Sequence, residues 1–488
     1  MAQNKFLDDF KRRVAENKPT RWIRFGIVSL IFFLWVAWLG TWWVAFFWLL
    51  LFDIYITGYI PFTWWKKSKN KTVKGVMSWV DAIVYALILV YFVFAFIGQN
   101  YQIPSSSLEK TLLTGDYLWV NKMVYGPRVP MTPVNFPLVH NKLPIFNTDS
   151  YLDSPSLPYH RLKGLRNVES GDIVVFNFPA GDTVVTKLEE SPEYYYLLRE
   201  RFGRGYIEAN PQIFGEIKYR PVDRRQNFVK RAVGLPGETL KIVNDTIYIN
   251  GKPQKLPENV QFQYIIASSM NLNDPDLLHD YGITPGDLHL LSFGSDERLA
   301  LSNYIPAAAT SKYIYMVPLT SKMISDLSAN GYIDGLRKAN EIFPTSGEQA
   351  FLFPSPVANE WTLSNYGGEN GLLIPAKGTT IKLTPENWII YERCIRNYEG
   401  HNEAYIDASG KVFIDGKPSD TYTFSMDYYF MMGDNRDLSQ DSRFWGFVPE
   451  DHIVGTPMIV LVSFDNDRSI FNGGIRWNRI LRTANPDK

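Results

Sequence analysis

The sequence predicts two regimes in one chain: N-terminal transmembrane helices, and behind them a mainly β exported domain. Two apolar runs open the chain with one charged residue each, Asp53 between Phe25 and Phe62 and Asp81 between Val76 and Gly98. Lys and Arg gather at the flanks of the first run. Beyond the second run, short β-type stretches alternate with Gly, Pro, Asn and Asp, the residues that punctuate strands. At 488 residues the chain is too long for one compact domain, and its formal charge of zero points to no nucleic-acid partner.

As a single helix the first run would be roughly 57 Å long, nearly twice an apolar bilayer core of about 30 Å. It is therefore expected to fold back at Gly40-Thr41, giving spans near 25–40 and 42–62. Such arms are short, so a re-entrant hairpin stays open beside a full double crossing. Arg12, Arg13, Lys18, Arg21 and Arg24 precede the hairpin, and Lys66, Lys67, Lys69, Lys71 and Lys74 follow it. Both flanks read as cytoplasmic, and a third span near 79–98 then carries the rest of the chain across. A cleaved leader fits poorly, because Ala37-Trp38-Leu39 puts bulk where cleavage needs small residues.

Past the membrane, Gly171-Asp-Ile-Val-Val-Phe-Asn-Phe-Pro179 and Phe228-Val-Lys-Arg-Ala-Val233 read as apolar strands bounded by turns. Thr246-Ile-Tyr-Ile-Asn-Gly-Lys-Pro253 recurs as Val412-Phe-Ile-Asp-Gly-Lys-Pro418, and Asn-Gly or Asp-Gly between such runs is a hairpin signal. Two copies of one hairpin, far apart, suggest that the stretch between them, about 254–401, is inserted. Within it, Asp274-Pro275 and Thr320 are expected to start short helices, the second ending towards Asn330-Gly331. Cys394 is the only cysteine, so no internal disulfide forms. The six histidines show no metal-ligand spacing, so neither a metal nor another cofactor is expected, and a hydrolytic site here needs a base other than histidine.

Two segments carry candidate chemistry. Tyr429-Phe-Met-Met-Gly-Asp-Asn-Arg-Asp-Leu-Ser-Gln-Asp-Ser-Arg-Phe-Trp-Gly446 is a β-type run ending in a turn and a polar loop. Arg436 and Leu438 fall where an EF-hand loop needs oxygen ligands. Gln102-Ile-Pro-Ser-Ser-Ser-Leu-Glu-Lys-Thr-Leu112 follows the third span so closely that Ser107 lies within about 30 Å of the bilayer. Its serines have two readings: one caps a helix starting at Leu108, or one is a reactive hydroxyl at a turn.

Taken together, Ile103-Pro-Ser-Ser-Ser107, Gly171-Asp-Ile-Val-Val-Phe176, Lys230-Arg-Ala-Val-Gly-Leu-Pro-Gly237 and Met432-Gly-Asp-Asn-Arg-Asp-Leu-Ser-Gln-Asp-Ser-Arg-Phe-Trp-Gly-Phe-Val-Pro449 resemble the ordered blocks of bacterial type I signal peptidases. The N-terminal hairpin and the insertion fall outside the resemblance. It implies a β catalytic core that removes signal peptides with a Ser/Lys dyad. Position by position, it implies Ser107 as nucleophile and Lys230 as general base. Ser105 is implied as an oxyanion donor beside the Ser107 backbone N–H, and Ser439 as the hydroxyl that orients the lysine. Asp441 with Arg443 matches a supporting ion pair, and Arg231 and Asp434 are expected to support the site as well. Ile103, Leu108, Leu112 and Val229 occupy family positions that line substrate pockets, or they are core. Two departures stand out: Leu108 and Lys110 replace a usual Met and Pro, and Ser106 replaces a common Gly.

The implied organisation is a membrane anchor over 1–98, a β catalytic core over 99–253 and 402–466 split by a β-rich α+β insertion over 254–401, and a tail over 467–488. The expected location is the bacterial inner membrane, with the N-terminus cytoplasmic and the catalytic domain outside. Expected partners are preprotein signal peptides, the lipid bilayer and the protein export machinery. Two other readings are a silent membrane-bound assembly factor, opposed by the intact Ser107, Lys230 and Ser439, and a Ser/Lys autoprotease of the DNA-damage repressor type, opposed by the spans.

Overall fold

A computed structural model describes residues 2–136, 138–144, 148–179, 183–188, 202–343, 352–354, 361–465, 468–471 and 473–486. The expected boundary between 466 and 467 lies outside them. Pro19 starts the first long helix, Pro19–Leu39, where its missing N–H costs nothing. The helix ends at Gly40, whose φ of 67° lets its N–H reach back to Val36 and Ala37 carbonyls. The following helical stretch, Trp42–Thr57, is about 24 Å long, short of the apolar core. It returns to its starting level: Asn17 Nδ2 donates to the Ile56 carbonyl at 2.8 Å and Arg13 Nη1 to that of Thr57 at 3.0 Å. Among the described residues, two helices rather than the three expected spans are long and apolar enough to cross a bilayer, Pro19–Leu39 and Lys71–Ile97. Gly58 stops the middle one in a left-handed turn.

Asn70 caps the second long helix, its side chain accepting from Thr72 N–H at 2.9 Å. That helix runs straight into the edge strand Gly98–Gln102 of a seven-stranded antiparallel sheet. The spatial order is Gly98–Gln102, Asp116–Asn121, Ile453–Ser463, Ile173–Asn177, Asn227–Gly234, Tyr428–Met432 and Val448–Pro449. Alternate residues of one strand enter different cores: Ile173 and Val175 pack with Leu108 and Leu118, while Val174 and Phe176 pack with Phe178 and Trp445. Burial on both faces explains why this strand reads as an unbroken apolar run.

Both hairpin signals form hairpins, with φ of 51° and 77° at Asn250 and Gly251 and of 50° and 76° at Asp415 and Gly416. Both central residues are left-handed, the geometry a two-residue turn requires. The stretch 254–401 is held in two ways. Residues 261–338 build their own four-stranded sheet, His289–Leu290, Tyr313–Thr320, Gln261–Ser268 and Gly335–Lys338. Helix Pro275–Asp280, capped by Asp274, and helix Ser321–Ala329, capped by Thr320, pack on it. Further on, Tyr366, Leu372, Trp388, Tyr391 and Ile395 join one core with Val233 and Phe430 of the large sheet and with Phe447, just before its last strand.

Candidate active site

Ser107 follows the edge strand in a single 3₁₀ turn, Ser106–Leu108. No α-helix starts at Leu108, and Ser105, extended at φ −133° and ψ 160°, makes no side-chain cap. The capping reading of the serines therefore fails, because the chain turns again at once. Lys110 takes φ 73°, a left-handed conformation closed to the proline usual in the family, whose ring fixes φ near −65°. From there Lys110 Nζ donates to the Gly282 carbonyl of the 261–338 unit.

The Ser106–Leu108 turn rests against the strand Asn227–Gly234, which carries Lys230. Lys230 pairs with Val174, and the next residue, Arg231, pairs with Ile173 on one side and Met432 on the other. Met432 leads into Gly433, and the sheet thereby brings the polar loop to the serine turn. Gly433 sits between them: a Cβ there would meet Ser439 Oγ at 2.2 Å and the Ser107 carbonyl oxygen at 2.6 Å. Ser107, Lys230 and Ser439 are all buried, at 8%, 3% and 5% exposure. Ser105 is exposed.

Two enclosed ion pairs fix the loop. Arg231 meets Asp434 with two bonds, Nε at 2.8 Å and Nη2 at 2.7 Å, and Thr111 Oγ1 adds a third to the same carboxylate at 2.7 Å. Arg443 meets Asp441 through Nε at 2.9 Å and Nη2 at 2.8 Å, and Gly433 N–H donates to Asp441 at 3.1 Å. Burial would raise the Asp441 carboxyl. The charge and hydrogen bond of Arg443, the Gly433 N–H and the charge of Lys230 outweigh it and hold Asp441 below the ordinary aspartate range. Arg436 donates to the Gly433 carbonyl at 3.0 Å; burial, and then the charge of Arg443, push its guanidinium down to about 10.

Ile103, Leu108 and Leu112 are enclosed at 3%, 1% and 0% exposure in one core with Leu118 and Ile173. Val229 packs against the same core half-buried and is the one of the four that reaches the surface. Sequence reasoning missed Asn435, which it read only as part of a turn. Its N–H donates to the Ser107 carbonyl at 3.1 Å and its Nδ2 to that of Ser106 at 3.3 Å, clamping the serine turn. Asp434 and Arg436 in turn bracket Gln261, the first strand residue of the four-stranded sheet, through N–H···O bonds of 3.0 Å each. A loop amide in a motif block was the available signal, but nothing local names its acceptor.

An antiparallel sheet gathers a buried serine, a buried lysine and a second hydroxyl around a doubly ion-paired loop, which makes this the candidate hydrolytic site. Comparison with known proteins gives the class as a peptidase: residues 76–292 and 378–462 match the family described as signal peptidase, peptidase S26. The chain therefore belongs to that family, on the side of the bacterial type I signal peptidases. Signal peptidase I of Buchnera aphidicola is 23% identical over 420 residues, covering 85% of this chain and 83% of that one. Signal peptidase I of Haemophilus influenzae is 24% identical over 427 residues, covering 85% and 78%. Against signal peptidase I of Aquifex aeolicus the identity rises to 64% over 36 residues, 7% of this chain and 14% of that one. The two apolar helices fit membrane anchoring.

Proposed function

We propose that this chain removes N-terminal signal peptides from exported preproteins at small-x-small sites, with Ser107 as nucleophile and Lys230 as general base. The observation that carries the reading is the enclosed lysine on the strand against which the serine turn rests. An amine takes a proton only when neutral, and at an ordinary pKa of about 10.4 a lysine is neutral less than about one part in a thousand at pH 7. A base working at pH 7 to 8 needs the charged form disfavoured by roughly 3 to 5 kcal/mol. Enclosure among apolar neighbours is the physical means.

Lys230 Nζ takes the Ser107 Oγ–H proton as Oγ attacks the scissile carbonyl carbon. The developing oxyanion is met by the Ser107 N–H and the Ser105 hydroxyl. The protonated lysine then gives its proton to the leaving amine, and afterwards activates a water that hydrolyses the Ser107 ester. Ser439 orients the amine, and the Arg231–Asp434 and Arg443–Asp441 pairs hold the loop carrying it. An extended peptide is held at a strand edge, with small residues admitted beside Val229.

The anchor over 1–98 keeps the site near the bilayer that also holds the substrate's apolar segment. The N-terminus is cytoplasmic, and the catalytic core of 99–253 and 402–466 faces away from the cytoplasm, within reach of the export machinery. Mass spectrometry of a small-x-small preprotein incubated with wild-type, Ser107→Ala and Lys230→Ala protein tests this. Cleavage at one site by wild type, and a loss of about a thousandfold or more in each variant, is expected. Cleavage by either variant at the wild-type rate would refute it and favour a binding factor.

A further inference from the structure

A cavity of about 180 Å³ lies where the second long helix meets the large sheet, away from Ser107. Phe94 and Ala95, from the last turn of that helix, form one side. Lys122, Arg128 and Arg224 line the other. Their donors meet only neutral oxygens: Lys122 Nζ the Phe94 carbonyl at 2.5 Å, Arg128 Nη2 Asn177 Oδ1 at 2.7 Å, and Arg224 Nε Thr132 Oγ1 at 2.7 Å. Among the described residues, none of the three has a carboxylate within 4.0 Å. Asp223 also lines the cavity, but its two oxygens accept from Thr132 N–H and Oγ1 at 2.9 Å each. Three cations face one committed carboxylate, so the cavity carries an excess of positive charge.

We propose that this cavity binds a phosphate group, and that its source is the headgroup of an anionic membrane lipid. Phosphate suits the donors, since guanidinium and ammonium groups form their strongest hydrogen bonds with an anion. The source follows from position. A bilayer that encloses the helix Lys71–Ile97 puts its headgroups at the level of Phe94 and Ala95, beside the cavity. At the rim Phe136 and Leu138 stay 48% and 63% exposed, apolar surface an acyl chain would cover. Burial, and behind it the charge of Arg128, already push the Lys122 amine down to about 7, so these cations gain from a counter-charge. The inference rests on membrane anchoring and not on the Ser/Lys dyad.

Native mass spectrometry of the full, delipidated chain in detergent tests it, with dihexanoyl-phosphatidylglycerol, dihexanoyl-glycerol and inorganic phosphate as probes. One phosphatidylglycerol is expected to bind, at least tenfold more weakly in Lys122→Gln, and within threefold of wild type in Lys122→Arg. Displacement of the lipid by inorganic phosphate supports recognition through the phosphate; lipid binding with no competition supports the lipid as sole source. Equal binding of the phosphate-free diacylglycerol overturns the proposal, as does an affinity within twofold of wild type in Lys122→Gln. Binding of inorganic phosphate without the lipid overturns the lipid assignment. Preprotein cleavage at saturating substrate, expected unchanged in Lys122→Gln, shows that the variant is folded and separates this outcome from any failure of the dyad.

Discussion

The loop 433–443 and the unit 261–338 both use charged side chains, but in opposite ways. In the loop, Arg231–Asp434 and Arg443–Asp441 are shut away, with side-chain exposures of 2% and 0% in each pair. At the end of that unit Arg337 pairs with Glu341, just beyond it, 3.4 Å apart at 57% and 48% exposure. A buried pair cannot hand its charge to water when one partner leaves, whereas an exposed pair can. The contrast separates a frame that must hold atoms still from a surface that need only stay folded. The two regions touch at Gln261, between Asp434 and Arg436, and at Gln263, whose N–H donates to Asp437 at 2.7 Å.

The sharpest way to break the contrast is Asp434→Ala. It removes the carboxylate that the buried Arg231 guanidinium faces, and we expect a loss of about 3 to 5 kcal/mol in chemical unfolding of the detergent-solubilised chain. A loss under about 1 kcal/mol would make this pair no different from a surface one. Gly433→Ala comes next. Its Cβ would press on Ser439 Oγ and the Ser107 carbonyl, and the overpacking should cost about 1 to 3 kcal/mol. Because the groups displaced are the backbone of the proposed nucleophile and the hydroxyl proposed to orient the lysine, kcat should fall by tenfold or more with KM little changed; equal stability and equal kcat would show that the contact yields freely.

The effect of pH sharpens the comparison further. The Asp441 carboxyl is held below its unfolded value, so its stabilisation is full above the ordinary aspartate pKa of about 3.9 and is lost as pH falls through the folded value. The stability difference between wild type and Asp441→Asn should therefore be flat near neutrality and shrink below about pH 4. A difference that grows on acidification would reverse the assignment. The smallest effect is expected for Arg337→Ala, within about 0.5 kcal/mol and without change in cleavage rate. A larger loss, or a slower cleavage, would show that this exposed surface bears on the site.

Much of this was legible in the residues. Asn250-Gly251 and Asp415-Gly416 gave their turns directly, because few residues other than glycine and asparagine adopt that backbone geometry. Asp274 and Thr320 were readable as caps, since a side chain bonding an N–H two or three residues on is a local event. The middle apolar arm was not readable as a span or a shorter helix, because hydropathy fixes where a run is apolar and not how much of it is helical. Leu108 and Leu112, read as pocket or core, lie in the core. Periodicity gives a side chain its face but not what covers that face.

The sequence by itself determined the two long apolar helices, the hairpins, the motif blocks and the residue types the proposed chemistry needs. Tertiary structure alone decided that the serine turn lies on the lysine strand, that Gly433 separates Ser107 from Ser439, and that Asn435 holds the turn. The stretch 254–401 was likewise divided only by packing, one part forming its own sheet and another joining the core of the large one. The physical reason is the order of the large sheet, in which Ile453–Ser463 lies between Asp116–Asn121 and Ile173–Asn177. Neighbours across such a sheet come from distant parts of the chain, and an alternating pattern states which way a side chain faces but not which strand lies beside it.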